Sequence, residues 1–351
     1  MRDIQEDRYR SQLIDKGVPF AQAAEIARRT TGAQISPQPG TKHQRAIAQP
    51  TPFQDIEQPK GSKRLSAQAE KLIRAAAEIS LKHPTGKDMA FTHAIFCQVG
   101  LPRKMVNARE FLRKSGTAWL NVQAGYLDEG AGPVPQPLPY GALPRLALAH
   151  VSTYAVRHKT REIFIGDSAA QFLELMGMDQ DGRRYSALRK QMHALAACRL
   201  QLGISGRTFN GQAVEQFDAW LANRNTRQRA LWPGLMILTE HFYNSLLEGA
   251  VPLDIRALHA LKGSALALDV YTWLAHRLHR IEGRGPILHW ASLREQFAQE
   301  YTGSEADKNF KDAFLPQLKK VLAVYPQAKV QTVRGGLLLR GSPPPIPPKG
   351  R

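Results

Sequence analysis

An α+β fold is predicted from three features of the 351-residue sequence. Stretches with apolar residues three and four apart alternate with short runs rich in Ile, Leu and Val. Glycine and proline gather between them. The helical and extended periods also follow one another in an order that occurs twice. Apolar residues make up 43% of the chain, enough to bury real cores, which excludes collagen-like, coiled-coil and fully disordered classes. At about 150 residues per domain, the length predicts two domains and a remainder.

The remainder falls at the N-terminus. Residues 1–33 read as a short helical hairpin broken at Gly17, Val18 and Pro19, and residues 34–62 as a flexible linker holding Pro37, Pro39, Pro50, Pro52 and Pro59. A helix over 65–82 has Ala69, Leu72, Ile73, Ala76 and Ile79 at helical spacing and opens the first globular unit. Between Met89 and Tyr126, Phe91, Ile95, Cys97 and Val99, then Trp119, Leu120 and Val122, predict strands. They flank a basic helical stretch with Arg103, Lys104, Arg109, Arg113 and Lys114. Gly130–Pro139 is predicted as a loop.

From Leu143 the order is helix (143–160), strand (162–166), helix (168–178), helix (183–198) and strand (199–205). Asp167 and Ser168 supply a cap for the middle helix, and Gly206 with Arg207 turns a wing. Residues 227–249 close the unit as a strand and a helix. The same order returns with unlike sequence: helices at 254–262 and 264–281, an extended piece at 285–289, helices at 290–301 and from Asp307 to about Tyr325. Strands at 329–334 and 337–341 follow, joined through Gly335 and Gly336. That order is a winged helix, predicted twice in tandem over 63–249 and 250–342, with residues 343–351 (PPPIPPKGR) as a disordered tail.

Lys and Arg outnumber Asp and Glu by 48 to 30, a net charge of +18, and the pI is near 10.1, so a nucleic-acid partner leads. On the helix from Arg183, Tyr185, Leu188, Met192 and Leu195 share one side, with Arg183, Ser186 and Lys190 opposite and Arg184 and Arg189 on the flanks. No Asp or Glu lies between 183 and 199 to neutralise that side. On the helix from Asp307, Phe310, Phe314, Leu318 and Val321 form the core stripe, leaving Lys308, Asn309, Asp312 and Lys319 outward and Lys311 at the edge. This is the better reader, because Lys and Asn can hydrogen-bond purine edges and Asp can accept from the cytosine amino group. Pro316 is expected to bend the helix or end its regular part. The wing residues Arg207, Arg334 and Arg340 are placed to enter a minor groove or to touch phosphates. The competing reading of both faces is a solvated charged surface.

Catalytic patterns fail. His276 and His279 stand three apart without the glutamate of a zinc-protease helix, and no phosphate-loop motif is present. The tyrosine-nicking arrangement of a metal-binding histidine pair is also missing. No enzyme activity, metal or cofactor is expected. Cys97 and Cys198 have no metal-ligand spacing and fit a reducing compartment. No run approaches the length of a membrane span, which predicts a cytoplasmic protein with no membrane partner.

The residues LPYGALPRLALAHVSTYAVRHKTREIFIGDSAAQFLELMGMDQDGRRYSALRKQMHALAACRL at 138–200 resemble the RepA replication initiators of bacterial theta-type plasmids. The likeness extends through VPLDIRALHALKGSALALDVYTWLAHRL (251–278), LHWASLREQF (288–297), FKDAF, YP and GGLLL, and upstream through HAIFCQVGLPRK (93–104). The family implies an initiator that binds direct repeats (iterons) in double-stranded plasmid origin DNA, assists opening of the neighbouring AT-rich DNA and represses its own gene. It also implies recruitment of the host initiator and replicative helicase, and a homodimer in equilibrium with active monomers. Base reading then falls on Lys308, Asn309, Lys311 and Asp312, and further DNA contact with dimerisation on the first unit through Arg183, Arg184, Arg189 and Lys190. One departure is that the first unit's helix ends in HALAAC, where more arginine is expected. The rival in the binding class is a tandem winged-helix transcriptional regulator. In the enzyme class it is a nicking or primase-like initiator.

Overall fold

The computed structural model describes residues 66–166, 168–178, 182–204, 206–218 and 234–347; the N-terminal hairpin and linker expected over 1–62 lie outside them. Residues 63–351 form one compact unit. The α+β class holds: the described chain mixes helices with small antiparallel sheets.

Helix α1 (Ala67–Leu81) starts where Ser66 Oγ accepts from the Ala69 amide, and its half-buried Leu72, Ala76 and Ile79 form its inner side. Strand β1 (Met89–His93) runs directly into helix α2 (Ala94–Gln98), so Ile95 and Cys97 are buried on a helix rather than in a strand. The basic helix expected around 103–114 does not form. Its second half is strand β2 (Glu110–Ser115), hairpinned to β3 (Ala118–Gln123), and Arg113 is buried there with its guanidinium on the Gly100 and Leu101 carbonyls. Charge alone misled, because an arginine with Nη1 on two backbone carbonyls and Nη2 3.6 Å from the Glu300 carboxylate can sit inside a core even with Nε unpartnered. The loop expected at 130–139 contains strand β5 (Pro133–Pro135), which pairs with β4 (Tyr126–Asp128) just before the loop.

Helix α3 (Ala142–His158), strand β6 (Glu162–Phe164), helix α4 (Ala169–Leu175), helix α5 (Gly182–Ala197) and strand β7 (Arg199–Ile204) then follow in the expected order. Ser168 caps α4 by accepting from the Gln171 amide, while Asp167 lies outside the described residues. Strand β8 (Arg207–Gly211) returns on β7 through Gly206, whose φ of +85° is the left-handed turn anticipated there. This hairpin joins β2 and β3 in a four-stranded sheet in the order β2-β3-β7-β8. Strand β6 instead pairs with β10 (Leu235–Leu238), which also pairs with β9 (Val214–Phe217).

Helix α6 (Glu240–Gly249) leads into β11 (Ala250–Asp254), which pairs along its whole length with β1. The boundary expected at 249/250 is therefore bridged by a ladder between residues 89–93 and 250–254. Helices α7 (Ile255–Leu261) and α8 (Ala265–Arg277), strand β12 (Ile287–His289), helix α9 (Trp290–Phe297) and helix α10 (Ala306–Val324) come next. A hairpin of β13 (Val330–Val333) and β14 (Gly336–Leu339) completes a sheet in the order β12-β14-β13. Here the strand between the helices pairs directly with the closing hairpin, unlike β6 in the first half. Helix α1 packs against α7 and α10, so it contacts the second half although the sequence assigned it to the first.

Pro316 sits inside α10, which continues unbroken to Val324. Residues 343–347, for which mobility was expected, lie against the body. Ile346 is buried, and Tyr325 Oη donates to the Pro343 carbonyl at 2.7 Å. Proline cannot extend a sheet, but its carbonyl still accepts.

Candidate nucleic-acid interface

The core stripe of α10 is buried as read: Phe310, Phe314, Leu318 and Val321 face inward. Phe314 meets Phe310, Phe297 and Trp290 at ring separations of 5.2, 5.7 and 6.1 Å. That aromatic packing fixes which side of the helix faces out. At 100° per residue Lys308, Asp312 and Lys319 share one stripe, with Asn309 and Lys311 on its two flanks. Lys308, Asn309, Asp312 and Lys319 are exposed. Lys308 Nζ lies 2.9 Å from Glu305, a pair in open solvent that competes weakly with a stronger anion. Lys311 Nζ lies 5.5 Å from the centre of the Trp290 ring, and Asp307 is held by Arg294. The side chains of Asn309 and Asp312 engage no other described residue, leaving their hydrogen-bonding groups to solvent.

The adjoining hairpin turns at Arg334 and Gly335. Arg334 is exposed, Gly335 has φ +88°, and its carbonyl accepts from the Trp290 amide that starts α9. The turn is thus tied to the same helix pair as α10. Arg340, past β14, is exposed, and its amide donates to Lys329.

The first half offers a shorter face. On α5, Arg183, Ser186 and Lys190 are exposed, with Arg184 and Arg189 half-buried, and Leu188, Met192 and Leu195 are buried as expected. Two things were invisible in the local sequence. Glu129, from the β4–β5 turn, comes within 3.6 Å of Arg189 and 3.2 Å of His193 Nδ1, so a carboxylate does neutralise part of this face. Hydrogen bonding from Gln136 in the first place holds the Glu129 carboxyl below its ordinary range, keeping it charged. Second, the last turns of α5 are buried all round: Gln191, His193, Ala194, Ala196, Ala197 and Cys198 join the core side. A Cβ at Gly125 would stand 1.9 Å from the Ala197 carbonyl, so backbone meets backbone here. The close approach requires glycine at 125, and burial of Ala194, Ala196, Ala197 and Cys198 leaves no outlet for an arginine in HALAAC. Arg207 opens β8 opposite Ile204 in the ladder.

The sequence reading passed over one buried charge constellation. Arg145 of α3 forms a two-point pair with Asp269 of α8 and also donates to the carbonyls of Leu101, Pro102 and Gly141. Gly100 makes room for it, since a Cβ there would stand 2.7 Å from the Asp269 carboxylate. Beside it, Glu300 is paired with Arg103 and lies 3.6 Å from Arg113, whose guanidinium burial pulls down to about 10 and leaves protonated. Its place in an apolar helix, LPRLALAH, hid Arg145 from pattern reading.

His276 and His279 do not converge on a metal. His276 is buried and bonded to Arg280, while His279 faces the Ala275 carbonyl. Among the described residues no group of three His, Cys, Asp or Glu side chains gathers as a metal site. No described helix is long and apolar enough to cross a membrane. The exposed Lys, Asn and Asp of α10 beside an arginine-bearing hairpin turn make an arrangement suited to binding nucleic acid and devoid of a recognisable reaction centre among the described residues.

Residues 138–291 match the family model described as plasmid encoded RepA protein. The match supports a plasmid replication initiator. None of the curated proteins matches the chain. Two solved structures of RctB are similar in course. A crystal structure of RctB domains 2-3 has TM-score 0.40 and 11% identity, covering 68% of this chain and 85% of that one. A selenomethionine crystal structure of RctB domain 2 and domain 3 has TM-score 0.43 and 12% identity, covering 70% and 95%.

Proposed function

We propose that the protein initiates plasmid replication by binding tandem iterons in double-stranded origin DNA as two winged-helix units, 63–249 and 250–342. In this reading α10 enters the major groove, with Asn309, Asp312, Lys308 and Lys311 at base edges, and Arg334 meets the minor groove or phosphates at the hairpin turn. The carrying observation is the pair of unengaged, exposed side chains Asn309 and Asp312 on a helix whose opposite side is locked by Phe310 and Phe314. Both can discriminate bases, whereas a face of lysine alone would serve phosphates only.

Helix α5 plays the lesser part, with Arg183, Arg184, Ser186 and Lys190 at the backbone and Arg189 shared with Glu129. Lys319 and Arg207 add phosphate contacts. No catalytic step is needed: binding energy opens the adjacent DNA, and the host initiator and replicative helicase are then recruited. A dimer in equilibrium with the monomer represses the protein's own gene.

A nuclease footprint over the DNA surrounding the protein's own gene tests this. Protection of several direct repeats at regular spacing supports an initiator. Protection of a single operator at a promoter favours a winged-helix transcriptional regulator, and metal-dependent cleavage of the same DNA favours a nicking enzyme. Binding should weaken steeply with salt, each phosphate neutralised steepening the log–log slope by roughly 0.9.

A further inference from the structure

A second polar feature lies away from the α10 face. The turn between β2 and β3 (Ser115, Gly116, Thr117) and the end of α8 border a cleft of about 440 Å³, also lined by Gln98, Gln296 and Ile281. Its charged or titratable lining residues are His276, Arg277 and Arg280, with no Asp or Glu among them. Neither arginine is paired with a carboxylate among the described residues. Arg277 is half-buried, and the other half-buried arginines of this half have acidic partners: Arg256 with Asp254, and Arg294 with Asp307.

Two further observations favour an anion. Arg280 Nη1 donates to His276 Nε2 at 2.7 Å, which orients the guanidinium and requires a neutral imidazole. Burial, then the charge of Arg280, keeps His276 down to about 4, so it stays neutral near pH 7. The buried indole Nε1 of Trp273, a lining residue, has no hydrogen-bond partner. An unpaired donor on a residue of the same lining adds to the positive potential. Burial also pulls Arg277 below its ordinary value, the signature of a cation lacking a counter-charge.

We propose that this cleft is a binding site for a phosphate group, held between Arg277 and Arg280 on one side and the hydroxyl of Ser115 on the other. Guanidinium forks and a hydroxyl donor match an oxyanion that only accepts, and a small carboxylate-free cleft suits a single phosphate or pyrophosphate rather than a broad acidic surface. The phosphate could come from a phosphodiester of bound DNA or from a free nucleotide. The site does not depend on base reading by α10, so it stands or falls apart from the proposed origin binding.

The full chain is titrated with inorganic pyrophosphate by calorimetry, alongside Arg277→Gln, Arg280→Ala and Thr117→Asp, with melting curves for each. The same four proteins are titrated with a random-sequence duplex over a range of salt. Wild-type binding of pyrophosphate that weakens at least about tenfold in the variants supports the site and assigns it to a free phosphate. Unchanged pyrophosphate titrations with weaker duplex binding and a salt slope shallower by about one contact support it and assign it to DNA. If Arg277→Gln melts early, the exposed-turn variant Thr117→Asp decides, since it brings a carboxylate to the cleft without touching the core. Variants indistinguishable from wild type in both titrations would overturn the proposal.

Discussion

Arg145 Nε and Nη2 meet Asp269 Oδ1 and Oδ2 at 2.6 and 2.8 Å, joining α3 to α8 across 124 residues of sequence with both side chains almost wholly buried. The guanidinium's remaining donors are taken up by the Leu101, Pro102 and Gly141 carbonyls, so the pair is satisfied as well as neutral. It fastens the helix that precedes β6 to the one that precedes β12.

Asp269→Ala should therefore cost about 3–5 kcal/mol, the penalty for leaving a buried cation without its partner. Urea denaturation monitored by circular dichroism measures it. A loss under 1 kcal/mol would mean that water or a shifted Glu300 replaces the carboxylate.

Asn309→Ala and Lys190→Ala should differ in kind. The first should reduce the preference for iteron over random DNA by roughly 1–3 kcal/mol while barely changing non-specific affinity. The second should weaken both and lower the salt slope by about one contact. Competition binding at several salt concentrations separates them, and the reverse pattern would move base reading to α5. Neither change touches the buried residues Leu188, Met192, Phe310 or Phe314.

Acid should destabilise the fold before its carboxylates titrate. Burial holds His93 and His150 down to about 4. With an unfolded value near 6.5, the unfolded chain binds protons first, so stability is complete above about pH 6.5 and falls as the pH drops toward 4. Each group contributes at most roughly 3 kcal/mol at the acid end. His93 Nδ1 accepts from the Ile95 amide to cap α2, a bond that protonation removes. His93→Asn keeps a capping acceptor without the titration, so melting temperatures between pH 7 and 4.5 should vary less in that variant. An unchanged pH profile would dissociate His93 from the acid response.

Gly336→Ala should damage the sheet beside α10 more than Gly335→Ala. A Cβ at Gly336 would stand 2.0 Å from the Leu288 carbonyl in the paired strand, whereas Gly335 has only its φ of +88° to lose. The first forces β12 and β14 apart, and the second costs about 1–2 kcal/mol of backbone strain. Hydrogen exchange at 287–289 should rise in Gly336→Ala alone.

Local pattern was a good guide wherever one helix face settled the matter. The stripes Phe310–Phe314–Leu318–Val321 and Leu188–Met192–Leu195 were legible because a 3.6-residue period is a property of neighbouring residues. The Ser168 cap and the Gly335 turn were legible because each is a requirement of a few consecutive backbone groups. The stretch 103–114 failed for the opposite reason. Arg113 carries a charge that pattern reading places outside, yet carbonyls from Gly100 and Leu101 and the nearby Glu300 admit it to the interior.

By itself, then, the sequence determined the α+β class, the order of elements from 142 to 204 and from 255 to 339, and the outward residues of α10, all of which follow from short-range periodicity and net charge. Tertiary structure alone decided that β6 pairs with β10 while the β7–β8 hairpin joins β3, and that β11 lies along β1. It also decided that Glu129 tempers Arg189, that Asp269 receives Arg145, and that Arg277 and Arg280 share a cleft with the Ser115–Thr117 turn. Strand pairing and ion pairing are set by which distant segments reach hydrogen-bonding distance, and nothing in a run of neighbouring residues encodes that distance.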